Sequence, residues 1–427
     1  MRFHTLEQWL DWQMVLHDKS IDLGLDRVAE VAHRLGIERI ATSVITVAGT
    51  NGKGSTVAGY ENWLYQAGFS VASYTSPHLR KYNERVKLDC DMVDDADFCL
   101  AFEAVDQARK QTSLTYFEFG TLAALYLIQD FRPDYAILEV GLGGRLDAVN
   151  IIDADLLHLT PIGIDHQSWL GHDREQIGFE KAGVLRSGSP VIVNDSDPPK
   201  SVLDEIERLN CDRFQLGKEY CVVPLQGKDF LWRSEALEFQ LTAILPGVHQ
   251  VQNLAGVVAG LSRLLQLDDY SIGQVRDYFR GMRLPGRFEL VSSRLAGRLY
   301  LDVGHNQDAA KALAGSLAEL GNQAGKIVVL LGMLEDKRAD WFVAELKSVV
   351  DEWWLLSLDC DRGLAARQLS ARVETTVHVE QLFDTADNAL EHALSSLGNE
   401  DIMLVTGSFV TVELLLRTLS DSSPNNS

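Results

Sequence analysis

A short β-branched run, Val44–Ala48, breaks into the turn Gly49-Thr50-Asn51-Gly52-Lys53-Gly54 and reopens into a helix-compatible stretch from Ser55 to Gln66, which Gly68 closes. A strand that feeds a glycine-rich loop and then a helix narrowly limits the architectures open to the chain. Backbone N–H groups, unobstructed by side chains, converge where the helix dipole is positive, and that is a cradle for phosphate oxygens. Lys53 adds a compact cation and Ser55 a hydroxyl able to hold Mg²⁺. Thr50, Asn51, Gly52, Lys53, Gly54 and Ser55 are therefore the candidate nucleotide contacts, with Lys53 also a candidate for catalysis. The spacing departs from GxxxxGK[ST]: Val47 stands where the first glycine belongs, and Gly54 separates Lys53 from Ser55. The bland alternative is an ordinary glycine-rich turn.

Around this loop, strand-like runs alternate with helical ones. Strands are predicted at Ser70–Tyr74, Tyr135–Val140, Leu156–Ile162 and Pro190–Val193, and helices at Asp94–Lys110, Phe117–Gln129 and Arg174–Val184. Continuous apolar strands separated by helices predict a mostly parallel sheet covered on both faces, an α/β fold. Leu284-Pro285-Gly286-Arg287 reads as a hinge. Beyond it, strands at Arg298–Val303, Lys326–Leu331, Trp353–Leu358, Thr376–Val379 and Ile402–Thr406 predict a second, smaller Rossmann-like unit. Residues 211–245 predict a small β region. The expected domains are 1–284 and 285–420, with a disordered tail over 421–427, and 427 residues suffice for two cores.

The formal charge, 39 − 61 = −22, argues against nucleic acid or an anionic membrane surface as a partner. An anionic ligand must then be held by loops, helix ends and a metal. Five widely spaced cysteines with no CxxC pair suggest a reduced compartment and no zinc site. The first residues lack an apolar signal core, and no apolar run is long enough to span a bilayer, so a cytoplasmic protein is expected.

Further residues carry chemistry. In Ile137–Ala148 a strand delivers Glu139 into a glycine-rich loop, where a buried carboxylate must be paired or metal-bound; the plain alternative is a salt bridge to Arg145. Ser76, in a Ser-Pro turn, and His166, after another strand, would join Glu139 from neighbouring strand ends, a donor set suited to Mg²⁺. Lys181 in E-K-A-G reads alone as a solvated helical lysine. Thr115-Tyr116-Phe117-Glu118 reads alone as an aromatic core stripe opening a helix, although Tyr116 or Phe117 could stack on a flat ring while Glu118 accepts N–H donors. Asp22-Leu23-Gly24 reads as a loop entering a helix, and Asn253 as a helix cap.

Taken in order, T-N-G-K-G-S, S-P-H-L, E-V-G-L-G-G-R-L-D-A, E-K-A-G, L-P-G-R-F and L-D-V-G-H-N resemble the Mur ligase superfamily, and within it the folylpolyglutamate synthases, the bifunctional bacterial folate ligases in particular. The resemblance spans nearly the whole chain. It implies a Mur-ligase-type phosphate-loop ATPase domain followed by a Rossmann-like domain. It also implies a monomer that spends ATP on joining L-glutamate to dihydropteroate and to reduced folates through an acyl phosphate. By motif match it makes Ser76, Glu139, His166 and Ser55 ligands of Mg²⁺, one or two ions in all, and Lys181 a catalytic residue, carbamylated into an anionic ligand for a second metal. Asp22, Leu23, Gly24, Thr115, Tyr116, Phe117, Glu118, Leu146, Asp147 and Ala148 become dihydropteroate contacts. Asn253, Arg287, Asp302 and His305 become ATP contacts, in a cleft between the domains, with Arg287 and His166 also catalytic. Two positions depart: Val149 stands where the family has threonine, and Gly304 where it has alanine, a change expected to loosen that turn. The alternatives are a monofunctional folylpolyglutamate synthase, a related ligase for another acceptor, or a kinase or nucleotide switch.

Overall fold

The computed structural model of the chain describes residues 1–225, 229–242, 247–267, 272–280, 282–291, 293–321 and 325–421. Beyond residue 421 the expected tail lies outside the described residues. The chain divides into two compact units, one of Met1–Ile244 with Gln250–Met282 and one of Leu245–His249 with Arg283–Ser427.

The first unit is built on strands β1 (Ser43–Ala48), β2 (Val71–Tyr74), β3 (Val86–Leu88), β4 (Asp91–Met92), β5 (Tyr135–Glu139), β6 (Leu156–Leu159), β7 (Pro190–Val193) and β8 (Asp212–Gln215). They form one sheet in the order β4-β3-β2-β5-β1-β6-β7-β8. From β2 to β8 every pairing is parallel, and only β3 and β4 run antiparallel at one edge. The continuous apolar runs are explained by this: β2, β6 and residues 44–48 of β1 are buried throughout. Register then positions the site. Val47 stands opposite Glu139, Ala48 opposite Leu159 and Tyr74 opposite Leu138, so the loops leaving β1, β2, β5 and β6 emerge along one edge. One apolar cluster seats Trp9, Phe98, Phe102 and Phe119, and another joins Leu157, Ile177, Val191 and Val202.

The weakly patterned stretch after residue 210 splits in two. β8 extends the large sheet, while β9 (Tyr220–Pro224), β10 (Asp229–Ser234) and β11 (Glu238–Thr242) form a separate antiparallel sheet. It is anchored by buried Trp232, whose Nε1 donates to the Ala255 carbonyl at 3.0 Å.

The second unit holds β12 (Glu289–Val291), β13 (Arg298–Leu301), β14 (Ile327–Leu331), β15 (Glu352–Leu356), β16 (Gln381–Phe383) and β17 (Ile402–Thr406), in the order β12-β13-β17-β14-β15-β16. All neighbours but β12 and β13 are parallel. One predicted strand is corrected: Thr376–Val379 is irregular, and the strand that pairs with β15 is Gln381–Phe383. The β-branched run misleads because Val377 and Val379 do pack on the core, but from a loop. No described helix is long and apolar enough to cross a membrane.

Candidate active site

The helix after β1 begins at Lys53, two residues earlier than its apolar pattern suggests, with Gly52 as cap in the left-handed region at φ 89°. Gly49 has φ 149°, and a Cβ there would overlap the Thr160 hydroxyl and lie 2.9 Å from the Thr160 carbonyl oxygen. Only glycine lets β1 turn so close to β6. The loop is also strapped to the segment after β6: Thr50 N donates to the Pro161 carbonyl at 3.0 Å, and the Thr50 hydroxyl exchanges hydrogen bonds with Gly163 at 3.1 Å. A Cβ on Gly52 would lie 3.0 Å from Asn253 Cγ, so the expected nucleotide asparagine does stand against the loop.

Two lysines converge on one oxygen. Lys53 Nζ donates to the Gly49 carbonyl at 3.3 Å, and Lys181 Nζ donates to the same carbonyl at 2.6 Å. Lys181 is 5% exposed, which disposes of the solvated-helix reading. Burial, and then the Lys53 charge, pull its pKa down from 10.5 to about 7. Asp165 and Asp147 partly oppose that shift.

Glu139 closes β5 and is buried, and its Oε2 accepts from Ser76 N at 3.3 Å, so this expected pair is brought together. Arg145, the alternative partner, pairs instead with Glu180 at 2.8 Å. His166 lies on the segment after β6 that straps Thr50, at φ 49°, with its side chain 41% exposed. Ser55 is buried at the start of the loop's helix. The carboxylate and hydroxyls are hard oxygen donors and fit Mg²⁺. Among the described residues no group of three or more His, Cys, Asp or Glu could by itself hold a metal.

The acceptor segments also meet. Asp147 is buried, and burial raises its pKa to about 6 although Leu142 N and Val149 N donate to it at 2.8 and 3.0 Å. A Cβ on Gly141 would touch both the Phe117 ring and Asp147 Oδ2, which places those two side chains around one loop. Leu146 is half-buried and Ala148 buried. Val149, where the resemblance leads one to expect threonine, is 0% exposed and packs within the apolar cluster. Leu23 and Gly24 are half-buried beside Asp22.

One expectation changes here. The sequence leaves Glu118 free to accept from a ligand, but in the structure both its oxygens are engaged. Oε2 accepts from Thr115 N at 2.7 Å, closing a capping box, and Oε1 accepts from Arg27 at 2.8 Å. Arg27 also donates to Asp22 Oδ2 at 2.6 Å and to the Asp22 carbonyl at 2.7 Å, so it ties the Asp22 loop to the helix Tyr116–Phe131. Sequence reasoning misses Arg27; the only signal is a basic residue at the start of an amphipathic helix.

In the second unit, Asp302 just beyond β13 is buried and its carboxyl pKa raised by that burial. It accepts from Gly304 N at 2.7 Å and Phe288 N at 2.8 Å. The departure at Gly304 therefore does not loosen the turn: a Cβ there would stand 2.8 Å from the carboxylate that the glycine N–H closes onto. His305 Nδ1 lies 2.9 Å from the Val303 carbonyl, and the Arg287 guanidinium lies 5.8 Å from the Phe409 ring centre.

Residues 286–409 match the family described as Mur ligase, glutamate ligase domain. Across the whole chain, the dihydrofolate synthase/folylpolyglutamate synthase of Escherichia coli K12 is 40% identical over 417 residues, 97% of this chain and 95% of that protein. The chain belongs to the dihydrofolate synthase/folylpolyglutamate synthase family. The family member of Bacillus subtilis is 30% identical over 93% of this chain and 95% of its own. Solved family structures agree over 98% of both chains: E. coli FolC in complex with DHPP and ADP (TM-score 0.91, 39% identity), and the Yersinia pestis bifunctional enzyme complexed with AMPPNP and Mn ion (TM-score 0.89, 38% identity).

Proposed function

We propose that this chain is an ATP-dependent ligase that joins L-glutamate to dihydropteroate, giving dihydrofolate, and adds further glutamates to reduced folate glutamates. The observation that carries this reading is the Gly49 carbonyl shared by Lys53 and Lys181 on the same sheet edge as the Ser76–Glu139 pair. It concentrates positive charge and metal-type oxygen donors at one glycine loop.

In this reading the backbone N–H groups of Thr50–Ser55 and the Lys53 ammonium hold the ATP phosphates. The acceptor carboxylate attacks the γ-phosphorus, the bond to the β-phosphate oxygen breaks, and ADP leaves with that electron pair. Lys53 and Arg287 stabilise the charge on the transferred group. The neutral amine of glutamate then attacks the acyl carbon, and inorganic phosphate departs as the amide forms and the amine proton is lost. Ser55, Ser76, Glu139 and His166 would hold Mg²⁺, which when bound would supply charge neutralisation at the phosphates. Lys181, with a pKa of about 7, is half neutral near pH 7, the form that can add CO₂ and lose a proton to give a carbamate, which would serve as an anionic metal ligand.

Tyr116 and Phe117 offer flat faces to the pterin beside Asp147 and Ala148, and the Asp22-Leu23-Gly24 loop closes the pocket with Thr115, Glu118 and Leu146 around it. Asn253, Asp302 and His305 are assigned to the nucleotide. Residues 1–284 act as the ATP- and pterin-binding domain and 285–420 as the ligase domain. The five free thiols suit a cytoplasmic enzyme, and a monomer is expected by native mass spectrometry. Product masses test the reading: dihydropteroate with ATP, Mg²⁺ and glutamate must gain one glutamyl residue, and tetrahydrofolate one or more. Phosphorylated acceptor persisting as the end product would favour a kinase instead.

A further inference from the structure

Arg85 is 7% exposed, and it forms no ion pair with any described acidic side chain. Its surroundings are aromatic and neutral. Nε donates to His78 Nδ1 at 2.9 Å, and the guanidinium lies 5.0 Å from the Tyr82 ring centre and 5.6 Å from that of Tyr116. The Tyr74 hydroxyl is a further neighbour and is itself bonded to Thr121 at 3.0 Å. A buried guanidinium without a carboxylate is costly, and rings repay only part of that cost. The elements around it belong to the site described above. His78 follows Ser76 on the loop leaving β2; Tyr116 opens the acceptor helix; and Tyr74 lies 6.4 Å, ring centre to ring centre, from Phe117.

We infer that Arg85 is the carboxylate anchor of the acceptor site, receiving the carboxylate end of a pteroyl acid between Tyr116 and the Ser76 loop. This rests on the proposed function. A guanidinium suits the task because it is planar, always charged and binds a carboxylate through two parallel N–H bonds. With Nε spent on His78 and one terminal N–H turned to the Tyr74 hydroxyl, the other terminal N–H groups remain for the ligand. Tyr82 and Tyr116 fix the plane of the fork, so the carboxylate arrives already oriented.

The test compares pteroate with its uncharged carboxamide, binding each by fluorescence titration to the full-length wild type, Arg85→Lys and Arg85→Met. The wild type is expected to prefer pteroate. The variants are expected to lose roughly 10- to 100-fold in pteroate affinity, the range of a charge-assisted pair, and to keep carboxamide affinity within about twofold. Carboxamide binding also certifies that each variant is folded. If both ligands weaken alike, or if the variants still prefer pteroate as strongly as wild type, the anchor is refuted. If the wild type binds neither pteroyl compound, the folate reading falls and the anchor with it. A wild type that discriminates while the variants do too overturns the anchor alone.

Discussion

Adding one methyl group at Gly49 perturbs the site where strand, phosphate loop and both lysines meet. Gly49 has φ 149°, and the new Cβ would overlap the Thr160 hydroxyl while lying 2.9 Å from the Thr160 carbonyl oxygen. Thr160 is 0% exposed, so its side chain has nowhere to swing. Overpacking costs roughly 1–3 kcal/mol, and a non-glycine residue in this backbone region adds about 1–3 kcal/mol. The whole penalty for Gly49→Ala is then on the order of 2–6 kcal/mol. The loop can escape only by moving, which carries the Gly49 carbonyl away from Lys53 and Lys181, and a displacement near 1 Å costs about 100-fold in turnover. Chemical denaturation and steady-state phosphate release measure the two effects. Thr160→Ala in the same background removes the hydroxyl clash but leaves the carbonyl contact, so it should restore stability in part. A Gly49→Ala protein with wild-type stability and turnover would refute the reasoning.

Lys181 gives a pH dependence with a definite sign. Its pKa falls from 10.5 to about 7 in the folded chain, so the native state binds fewer protons than the unfolded one between those values. Unfolding free energy should therefore rise with pH from about 7 towards 10.5, and below 7 the cost of the buried ammonium is fully present. Carbamate formation should rise over the same interval, seen as a ¹³CO₂-labelled carbamate signal stronger at pH 8 than at pH 6 and absent in Lys181→Ala; full activity of Lys181→Ala without an added short-chain acid would remove the proposed ligand. Glu139→Gln should raise the Mg²⁺ concentration needed for half-maximal activity at least tenfold, read in a metal titration. Arg27→Ala leaves the Glu118 carboxylate, 5% exposed, without its cation; it should cost roughly 2–3 kcal/mol and raise the acceptor KM more than the ATP KM. Lys53→Ala should abolish turnover while leaving the fold intact by circular dichroism.

How much of the molecule is legible in its sequence depends on whether the signal is local. Parallel strands buried on both faces read as unbroken apolar runs, so Pro190–Val193 and Ile402–Thr406 are placed to the residue. The short, exposed edge strand Asp91–Met92 carries no such run and gives no sign of itself. Thr376–Val379 has the right residue types, yet strand β16 lies five residues on, where the chain reaches β15. The loop at Gly49–Ser55 is legible because glycine, lysine and serine act through local geometry. Thr115 and Glu118 carry a capping-box spacing, and that plain reading describes Glu118 better than the role of free acceptor. Arg27 and Arg85 are silent because their meaning comes from partners far away in the chain: Arg27 meets Glu118, and Arg85 meets Tyr116. No period or motif announces such contacts.

Steady-state phosphate release from ATP and Mg²⁺ tests the central claim most directly, with dihydropteroate and L-glutamate supplied separately and together. Sustained release is expected only when both are present, with the same dual requirement when tetrahydrofolate replaces dihydropteroate. Sustained release that needs no pteroyl acid, or that proceeds equally well without glutamate, would contradict that claim.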